Sequence, residues 1–329
     1  MASNSFGELL RITTFGESHG PLVGVVVDGV PSGLPLTAAD LEVELARRRP
    51  GQSEVTSQRR EPDRPEIVSG VFEGRATGAP ICVLVHNEDA RPGDYDALRA
   101  QVRPGHADET WSRKYGHRDH RGGGRSSGRE TVARVIGGVV ARKILPPETE
   151  IRGHALRIGP VQAQRFDPDA IEQNAVRCAD PDAAAAMLQH LQDLRAAGDS
   201  CGGVVEVRVE ATPANLGEPI YGKVKARLAD AFLSLGAVTG FEFGAGFRAA
   251  DLRGSEYVAE RAHFGGILGG VTTGEPLVLR AAVKPTSSIG AAATQGRHDP
   301  CIVPRVVPVL EAMTALVLAD LWLLHRAGR

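Results

Sequence analysis

The order of strand-like and helix-like stretches is the feature that most constrains the fold of this chain. Short β-rich stretches bounded by turn residues recur along its whole length, and helices occur among them in mixed order. Strict βαβ alternation, which builds a doubly wound sheet, is therefore not indicated. The pattern favours an α+β fold. Since we find no Gly/Ser-rich or proline-rich linker and no tandem repeat, residues 1–329 are predicted to form a single domain.

Six stretches are predicted to be strands. The clearest is Gly203 to Ala211, where Val205, Val207 and Val209 alternate with charged residues. This period of two is typical of a strand with one solvated face. The other five are Leu22 to Val30, Glu66 to Gly74, Pro80 to His86, Phe241 to Phe247 and Glu275 to Val283.

Five stretches are predicted to be helices. Thr37 to Arg49 opens with a capping box, because Asp40 stands three residues after Thr37. Another helix begins at Asp180-Pro181 and ends at Gly198, since proline is favoured at the first helical position and glycine just past the last. The remaining three run from Ser127, from Pro219 to Leu235 and from Pro308 to Arg326.

Charge and composition exclude several classes of protein. A net charge of -2 argues against a protein that coats nucleic acid, and 5% aromatic residues supply few platforms for stacking bases. The first twenty residues hold no apolar run typical of a signal peptide, and we expect no membrane span. Four separated cysteines indicate no disulfide framework. We therefore expect a cytoplasmic protein.

An arginine-rich segment is the strongest candidate for anion binding. Of the 38 basic residues 33 are arginine, and Arg103 to Lys143 carries ten basic residues against four acids. Within it, Arg121 to Ser127 is a glycine-rich turn that leads into the helix predicted from Ser127. Such a turn presents free N–H groups at a helix N-terminus, which suits a phosphate. The alternative is a solvated loop before a capped helix.

Three further segments carry side chains suited to chemistry. His19 lies on a tight turn, Gly16 to Gly20, and an imidazole there suits general acid catalysis. Lys284 to Ser288 suits phosphate or polar cofactor atoms, although it is equally readable as a strand-to-loop turn. Arg297 and Asp299, which precede the final helix, are a third candidate, and the alternative is that they form a salt bridge with a structural role only. No metal site is predicted, because neither His117 with His120 nor His106 with Asp108 has a nearby cysteine or a third ligand at a familiar spacing.

These segments indicate an enzyme that acts on a phosphorylated, carboxylated small molecule. Together they closely resemble the chorismate synthase family over nearly the whole chain. The matching motifs are Thr14 to Gly20, Arg47 to Gly51, Arg103 to Asp108, Gly122 to Thr131, Gly265 to Gly270, Lys284 to Ser288 and Gly296 to Cys301.

The resemblance implies a β-α-β layered sandwich that assembles as a homotetramer. It implies that reduced FMN is the cofactor and that 5-enolpyruvylshikimate 3-phosphate is converted to chorismate and phosphate by an anti-1,4-elimination. Whether NADPH reduces the flavin on this protein, or a separate flavin reductase supplies it, stays open. The alternatives are another phosphate-handling enzyme on the same scaffold and an arginine-rich RNA-binding module.

The resemblance also assigns residues. His19 is similar to the histidine that protonates the departing phosphate, His106 to the histidine beside the flavin, and Asp299 to an aspartate that assists the flavin. The implied cofactor ligands are Arg125, Ser126, Ser127, Gly236, Ala237, Gly269, Lys284, Pro285, Thr286, Ser287, Ser288 and Arg297. The implied substrate ligands are Ser18, Arg48, Arg59, Arg60, Arg103 and Arg129.

Three departures from the family pattern bear on these assignments. Gly236 stands where relatives frequently carry asparagine, and the connection from Ser288 to Gly296 is short. Glu54 replaces a common arginine. Because an acid facing the substrate would repel it, we expect Glu54 to point away and Arg59 or Arg60 to supply the charge.

Overall fold

The computed structural model describes residues 3–51, 61–89, 102–103, 105–290 and 299–328. Two antiparallel five-stranded sheets dominate this part of the chain. The first has the strand order β1-β2-β3-β7-β4 and the second β11-β14-β10-β8-β9. The strands of the first sheet are β1 (Ser5–Phe6), β2 (Arg11–Gly16), β3 (Leu22–Asp28), β4 (Pro65–Ser69) and β7 (Ile81–His86). Those of the second are β8 (Glu150–Ile158), β9 (Val161–Gln162), β10 (Gly203–Glu210), β11 (Val238–Phe243) and β14 (Leu277–Val283).

The described part of the chain also contains two small hairpins, seven α-helices and five short 3-10 helices. The hairpins are β5 (Val71–Phe72) with β6 (Arg75–Ala76) and β12 (Ile267–Leu268) with β13 (Val271–Thr272). The helices are α1 (Ala38–Arg48), α2 (Asp108–Tyr115), α3 (Thr131–Ile144), α4 (Pro181–Ala197), α5 (Val224–Leu233), α6 (Gly254–Ala259) and α7 (Val303–Ala327).

Helices α3 and α7 pack against each other and connect the two sheets. Helix α3 contacts β2 and β3, whereas α7 contacts β8 and β10. At the crossing of the two helices, a β-carbon on Gly138 would lie 2.3 Å from the Ala312 Cβ, so only glycine allows this approach. Apolar side chains of both sheets and of these helices form one continuous core.

Local sequence signals located most elements correctly. In α1, the Asp40 carboxylate accepts a hydrogen bond from the Thr37 N–H at 2.8 Å, which confirms that the helix begins there. Helix α4 has Asp180 as its N-cap and Gly198 at its C-cap, as predicted. A strand is present in each of the six predicted stretches, although the stretch from Glu66 divides into β4 and β5, and β11 ends at Phe243 instead of Phe247.

Several predictions of secondary structure were wrong or incomplete, and helices α2 and α6 were not predicted. Helix α5 begins at Val224 instead of Pro219, because Glu218 and Gly222 pair as an isolated β-bridge before it. Strand β8 was missed because its alternation of polar and apolar residues holds only up to Ala155 and breaks at Leu156, where the register with β10 shifts. Helix α7 begins at Val303, five residues before the predicted Pro308. It is long and apolar enough to cross a membrane, but 83% of its most apolar window is buried inside the protein, as in a core helix.

Candidate functional site

One cavity of about 890 Å³ collects most of the predicted site residues. Seven arginine or lysine side chains line it against three carboxylates, which favours anionic ligands. His19, His106 and Asp299 all lie on its surface. The other predicted residues on it are Arg48, Arg103, Arg125, Ser126, Ser127, Arg129, Gly236, Ala237 and 284–288.

The remaining predicted residues do not line this cavity. Gly269 lies in the turn between β12 and β13, outside the cavity lining. Ser18 stands behind His19 instead of on the surface. Arg59, Arg60 and Arg297, together with Glu54, lie outside the described residues.

The first side of the cavity, which we call the arginine wall, consists of Arg48, Asp63, Arg129 and the turn Gly16–Gly20. That turn connects β2 to β3 and holds His19 with 7% of its surface exposed. Ser18 Oγ lies 2.8 Å from His19 Nδ1 and donates to the Gly122 carbonyl at 3.2 Å. Because the hydroxyl has one proton, His19 Nδ1 donates to it, which selects the imidazole tautomer.

Gly122 is required by the close packing of the glycine-rich segment against this turn. A β-carbon at Gly122 would lie 2.0 Å from His19 Nδ1, and its φ of 58° is in the left-handed region. A side chain there would displace the imidazole. The glycine therefore has a packing role in addition to the one that the sequence suggested, which was to expose backbone N–H groups to a phosphate.

Two buried arginines share one buried carboxylate on the arginine wall. Asp63 Oδ2 accepts from Arg48 Nη2 at 2.6 Å, and its other oxygen accepts from Arg129 Nη1. Asp63 is 1% exposed, and its φ of 50° is rare for a residue other than glycine. The ion pairs therefore hold it in a strained conformation.

Burial and neighbouring charges shift the pKa values of Asp63 and Arg48 in opposite directions. Burial would raise the pKa of Asp63, but the guanidinium groups of Arg48 and Arg129 outweigh it and hold that pKa below its usual value. Burial lowers the pKa of Arg48 to about 10, against the attraction of Asp63. Asp63 and Arg48 are thus both charged at neutral pH.

The glycine-rich turn does not lead directly into α3. Two short 3-10 turns, Gly124–Ser126 and Gly128–Glu130, intervene, and Ser127 accepts from the Arg129 N–H at 3.3 Å. The Arg125 guanidinium donates to Thr14 Oγ1 at 2.6 Å and so ties the segment to β2. The prediction of a helix N-terminus immediately after the glycines was therefore wrong in detail, although Ser126, Ser127 and Arg125 do line the cavity.

A second group of residues, which we call the loop wall, consists of 103, 105–106, 284–288 and 299–305. Ser287 Oγ donates to the Gly105 carbonyl at 3.1 Å, and Thr286 Oγ1 donates to the Asp299 carbonyl at 2.9 Å. These hydroxyls therefore join separate segments of chain. The hydroxyl oxygens can still accept hydrogen bonds from a ligand.

Ion pairs hold the charged side chains of the loop wall. Asp299 Oδ2 accepts from Arg305 Nη1 at 2.7 Å. Arg103 Nε donates to Asp108 at 2.8 Å, and this bond lowers the pKa of the Asp108 carboxyl. Asp299 is thus paired with Arg305 of α7, whereas Arg297, the partner that the sequence suggested, lies outside the described residues.

Sequence reasoning missed several residues of the site. Arg305 was outside the predicted final helix, and Arg134 and Trp111 were not singled out although all three line the cavity. Asp63 had no local signal, since its role depends on residues 15 and 66 positions away. Arg134 could have been found from its spacing of four after Glu130, with which it pairs at 3.0 Å.

Three comparisons with known proteins identify the same family over nearly the whole chain. A family model described as chorismate synthase matches residues 10–323. The chorismate synthase of Methanosarcina mazei is 51% identical over 350 aligned residues, covering 97% of this chain and 96% of its own. That of Syntrophobacter fumaroxidans is 51% identical, covering 99% of each. A solved structure described as "Crystal Structure of Chorismate Synthase" is 30% identical with a TM-score of 0.81, covering 98% of this chain and 94% of that one.

Proposed function

Because this chain belongs to the chorismate synthase family, we propose that the cavity between the arginine wall and the loop wall is its active site. The protein is a carbon-oxygen lyase of the shikimate pathway that forms chorismate from 5-enolpyruvylshikimate 3-phosphate and depends on reduced FMN. The observation that carries the placement is the convergence of His19, His106 and seven cationic side chains on one cavity.

The lining of the cavity fits a flavin phosphate next to an anionic substrate. Trp111, Val306 and Met313 supply apolar surface, while Ser126 and Ser127 supply hydroxyls. The side chains and backbone that we propose to hold FMN are Arg125, Ser126, Ser127, Gly236, Ala237, residues 284–288 and Arg297. When bound, reduced FMN lends electron density to the substrate and recovers it, so the overall reaction is redox-neutral.

Substrate binding begins at the arginine wall. Arg48 and Arg129 offer donors already oriented by Asp63, so little side-chain entropy is lost on binding. The Glu61 carboxylate lies 3.9 Å from Arg129 Nη2, so these two arginines face two carboxylates and are nearly neutral together. A substrate with one phosphate and two carboxylates needs further positive charge. This supports our proposal that Arg103 and one of Arg59 and Arg60 also bind it.

Proton transfer is assigned to the two histidines. With its Nδ1–H bonded to Ser18, His19 acts as an imidazolium that donates its Nε2 proton to the departing phosphate, because an unprotonated phosphate leaves poorly. Ser18 accepts the Nδ1–H of His19 and so orients the ring. His106 would lie beside the flavin, where a proton held by its imidazole would stabilise negative charge on the reduced cofactor. Asp299, oriented by Arg305, assists at the cofactor.

The decisive experiment is turnover with defined flavin states. We expect chorismate formation with reduced FMN, and none without flavin or with oxidised FMN under strict exclusion of reductant. FMN binding measured with and without substrate gives an independent readout. Full turnover in the absence of flavin would contradict the assignment of this cavity.

Assembly, location and flavin supply extend the proposal beyond the single chain. We propose that α3 and α7 form the middle layer of a β-α-β sandwich in one catalytic domain, and that the protein is a cytoplasmic homotetramer. Sedimentation equilibrium tests the tetramer. Turnover with photoreduced FMN, with and without NADPH, separates an intrinsic reductase activity from dependence on another flavin reductase.

A further inference from the structure

Asn87 connects the His19 turn to the rest of the first sheet. It follows β7 directly, and its backbone N–H donates to the Pro21 carbonyl at 3.0 Å. Its side-chain nitrogen donates to the carbonyl oxygens of Glu17 at 3.0 Å and of Gly20 at 2.8 Å. These carbonyls lie on both sides of His19, so the amide spans the turn.

The same side chain holds Arg129. Arg129 Nε donates to Asn87 Oδ1 at 2.8 Å, while its Nη1 and Nη2 reach Asp63 and, at 3.4 Å, the His86 carbonyl. The partners determine the amide orientation, because two carbonyls require the NH₂ group and an arginine donor requires the oxygen. Asn87 therefore makes three side-chain hydrogen bonds, and its partners determine which end of the amide donates and which accepts.

We propose that Asn87 is a positioning residue that sets His19 and Arg129 relative to each other, so that proton donor and anion-binding guanidinium face the same substrate. Asn87 is not part of the cavity lining and acts through these two neighbours. Closing the turn does not require it, since the Gly20 N–H already donates to the Glu17 carbonyl at 3.1 Å. The inference rests on the proposed roles of His19 and Arg129.

Two substitutions separate the hydrogen bonds that the Asn87 side-chain nitrogen donates from the one that its oxygen accepts. Asn87→Asp keeps an acceptor for Arg129 but places an oxygen against the carbonyls of Glu17 and Gly20. We expect kcat to fall roughly 10- to 100-fold with KM within about threefold, since small misplacement of a catalytic group has effects on the order of 10²-fold. Asn87→Leu removes all of these side-chain hydrogen bonds, and we expect its KM for substrate to rise about tenfold as well.

Asn174 provides a matched control. Its side-chain nitrogen bridges the carbonyls of Ala170 and Cys178, both at 2.8 Å, and its oxygen accepts the Cys178 N–H, but it does not line the cavity. We expect Asn174→Asp to lower thermal stability without changing kcat or KM of the folded enzyme. A loss of kcat equal to that of Asn87→Asp would overturn the inference.

A double-mutant cycle with His19→Ala decides how Asn87 acts. If Asn87 acts through His19, Asn87→Asp in the His19→Ala background lowers kcat by less than about threefold. An undiminished further loss, or no loss in the single variant, would overturn the inference while leaving the role of His19 intact. If His19→Ala alone keeps full turnover, the proposed function of His19 fails instead. Should Asn87→Leu not fold, Asn87→Asp and the cycle still give the answer.

Discussion

The arginine wall and the loop wall both contribute residues to the cavity but are stabilised by different interactions. In the arginine wall, buried charged groups bond to each other, and Asp63 holds Arg48 and Arg129. In the loop wall, neutral hydroxyls of Thr286 and Ser287 bond to backbone carbonyls, with ion pairs at its edges. Buried charges are costly to leave unpaired, whereas a single neutral hydrogen bond contributes only about 1 kcal/mol.

This difference indicates a division of labour. The arginine wall is preorganised, because moving one of its groups would strand a buried charge. The loop wall can adjust at lower free-energy cost to a cofactor that enters before catalysis. Substitutions in the two walls should therefore differ in the size and kind of their effects.

The largest effect is expected for Asp63→Ala. Two buried guanidinium groups lose their shared partner, so the free energy of unfolding should fall by about 3–5 kcal/mol, and KM for substrate should rise. Denaturant unfolding followed by circular dichroism measures the first quantity. The exposed ion pair between Arg165 and Asp182 is the control, since Asp182→Ala should change stability by less than about 1 kcal/mol. Equal effects would remove the distinction between buried and exposed pairs.

The lowered pKa of Asp63 predicts a pH dependence with a definite sign. A carboxyl whose pKa is lower in the folded protein stabilises it above the unfolded value near 4, and that contribution is lost as the pH falls through the folded pKa. The difference in unfolding free energy between the wild type and Asp63→Asn should therefore shrink in acid, below about pH 4. A difference that is constant down to pH 3 would contradict the pairing.

Substitution of the two histidines should affect different measurements, because His19 belongs to the arginine wall and His106 to the loop wall. His19→Ala should lower turnover by roughly 10²–10⁴-fold, the usual contribution of a general acid, with little change in the absorption spectrum of bound reduced flavin. His106→Ala should change that spectrum as well as the rate. An unaltered spectrum and rate in His106→Ala would place this residue away from the flavin.

A smaller effect is expected for Ser287→Ala in the loop wall. The variant loses the bond to the Gly105 carbonyl, so the Kd of reduced FMN should rise by roughly two- to tenfold. Fluorescence or absorbance titration measures it. Thr149→Ala, which removes a similar bond to the Ala211 carbonyl outside the cavity lining, should leave the Kd unchanged.

The smallest effect is expected for Gly236→Asn. A β-carbon at Gly236 would meet no described atom within 4 Å, so the substitution should change unfolding free energy by less than about 0.5 kcal/mol. An asparagine on the cavity surface should tighten flavin binding by at most a few fold. A weakened Kd would show that the open space beside Gly236 is needed by the ligand.

Much of the site was predictable because the motifs are local. The His19 turn, the Arg125–Ser127 segment and the Lys284–Ser288 loop are short runs whose chemistry is visible in adjacent letters, and all reach the cavity. Their bonding was less predictable. Arg125 donates to β2, and Asp299 pairs with Arg305 of α7, because side chains bond to whatever the packed neighbours offer.

Local signals in the chain were sufficient for the helix caps at Thr37 and Asp180 and for the alternation in β10, since capping and strand period depend on neighbours within a few residues. The joint positions of Asp63, Asn87 and Arg129 were not, because these residues are separated by 24 to 66 positions and meet only when the sheet and α3 pack together. A buried charge needs a partner close in space, and nothing in the spacing of letters says which distant residue folding will bring there.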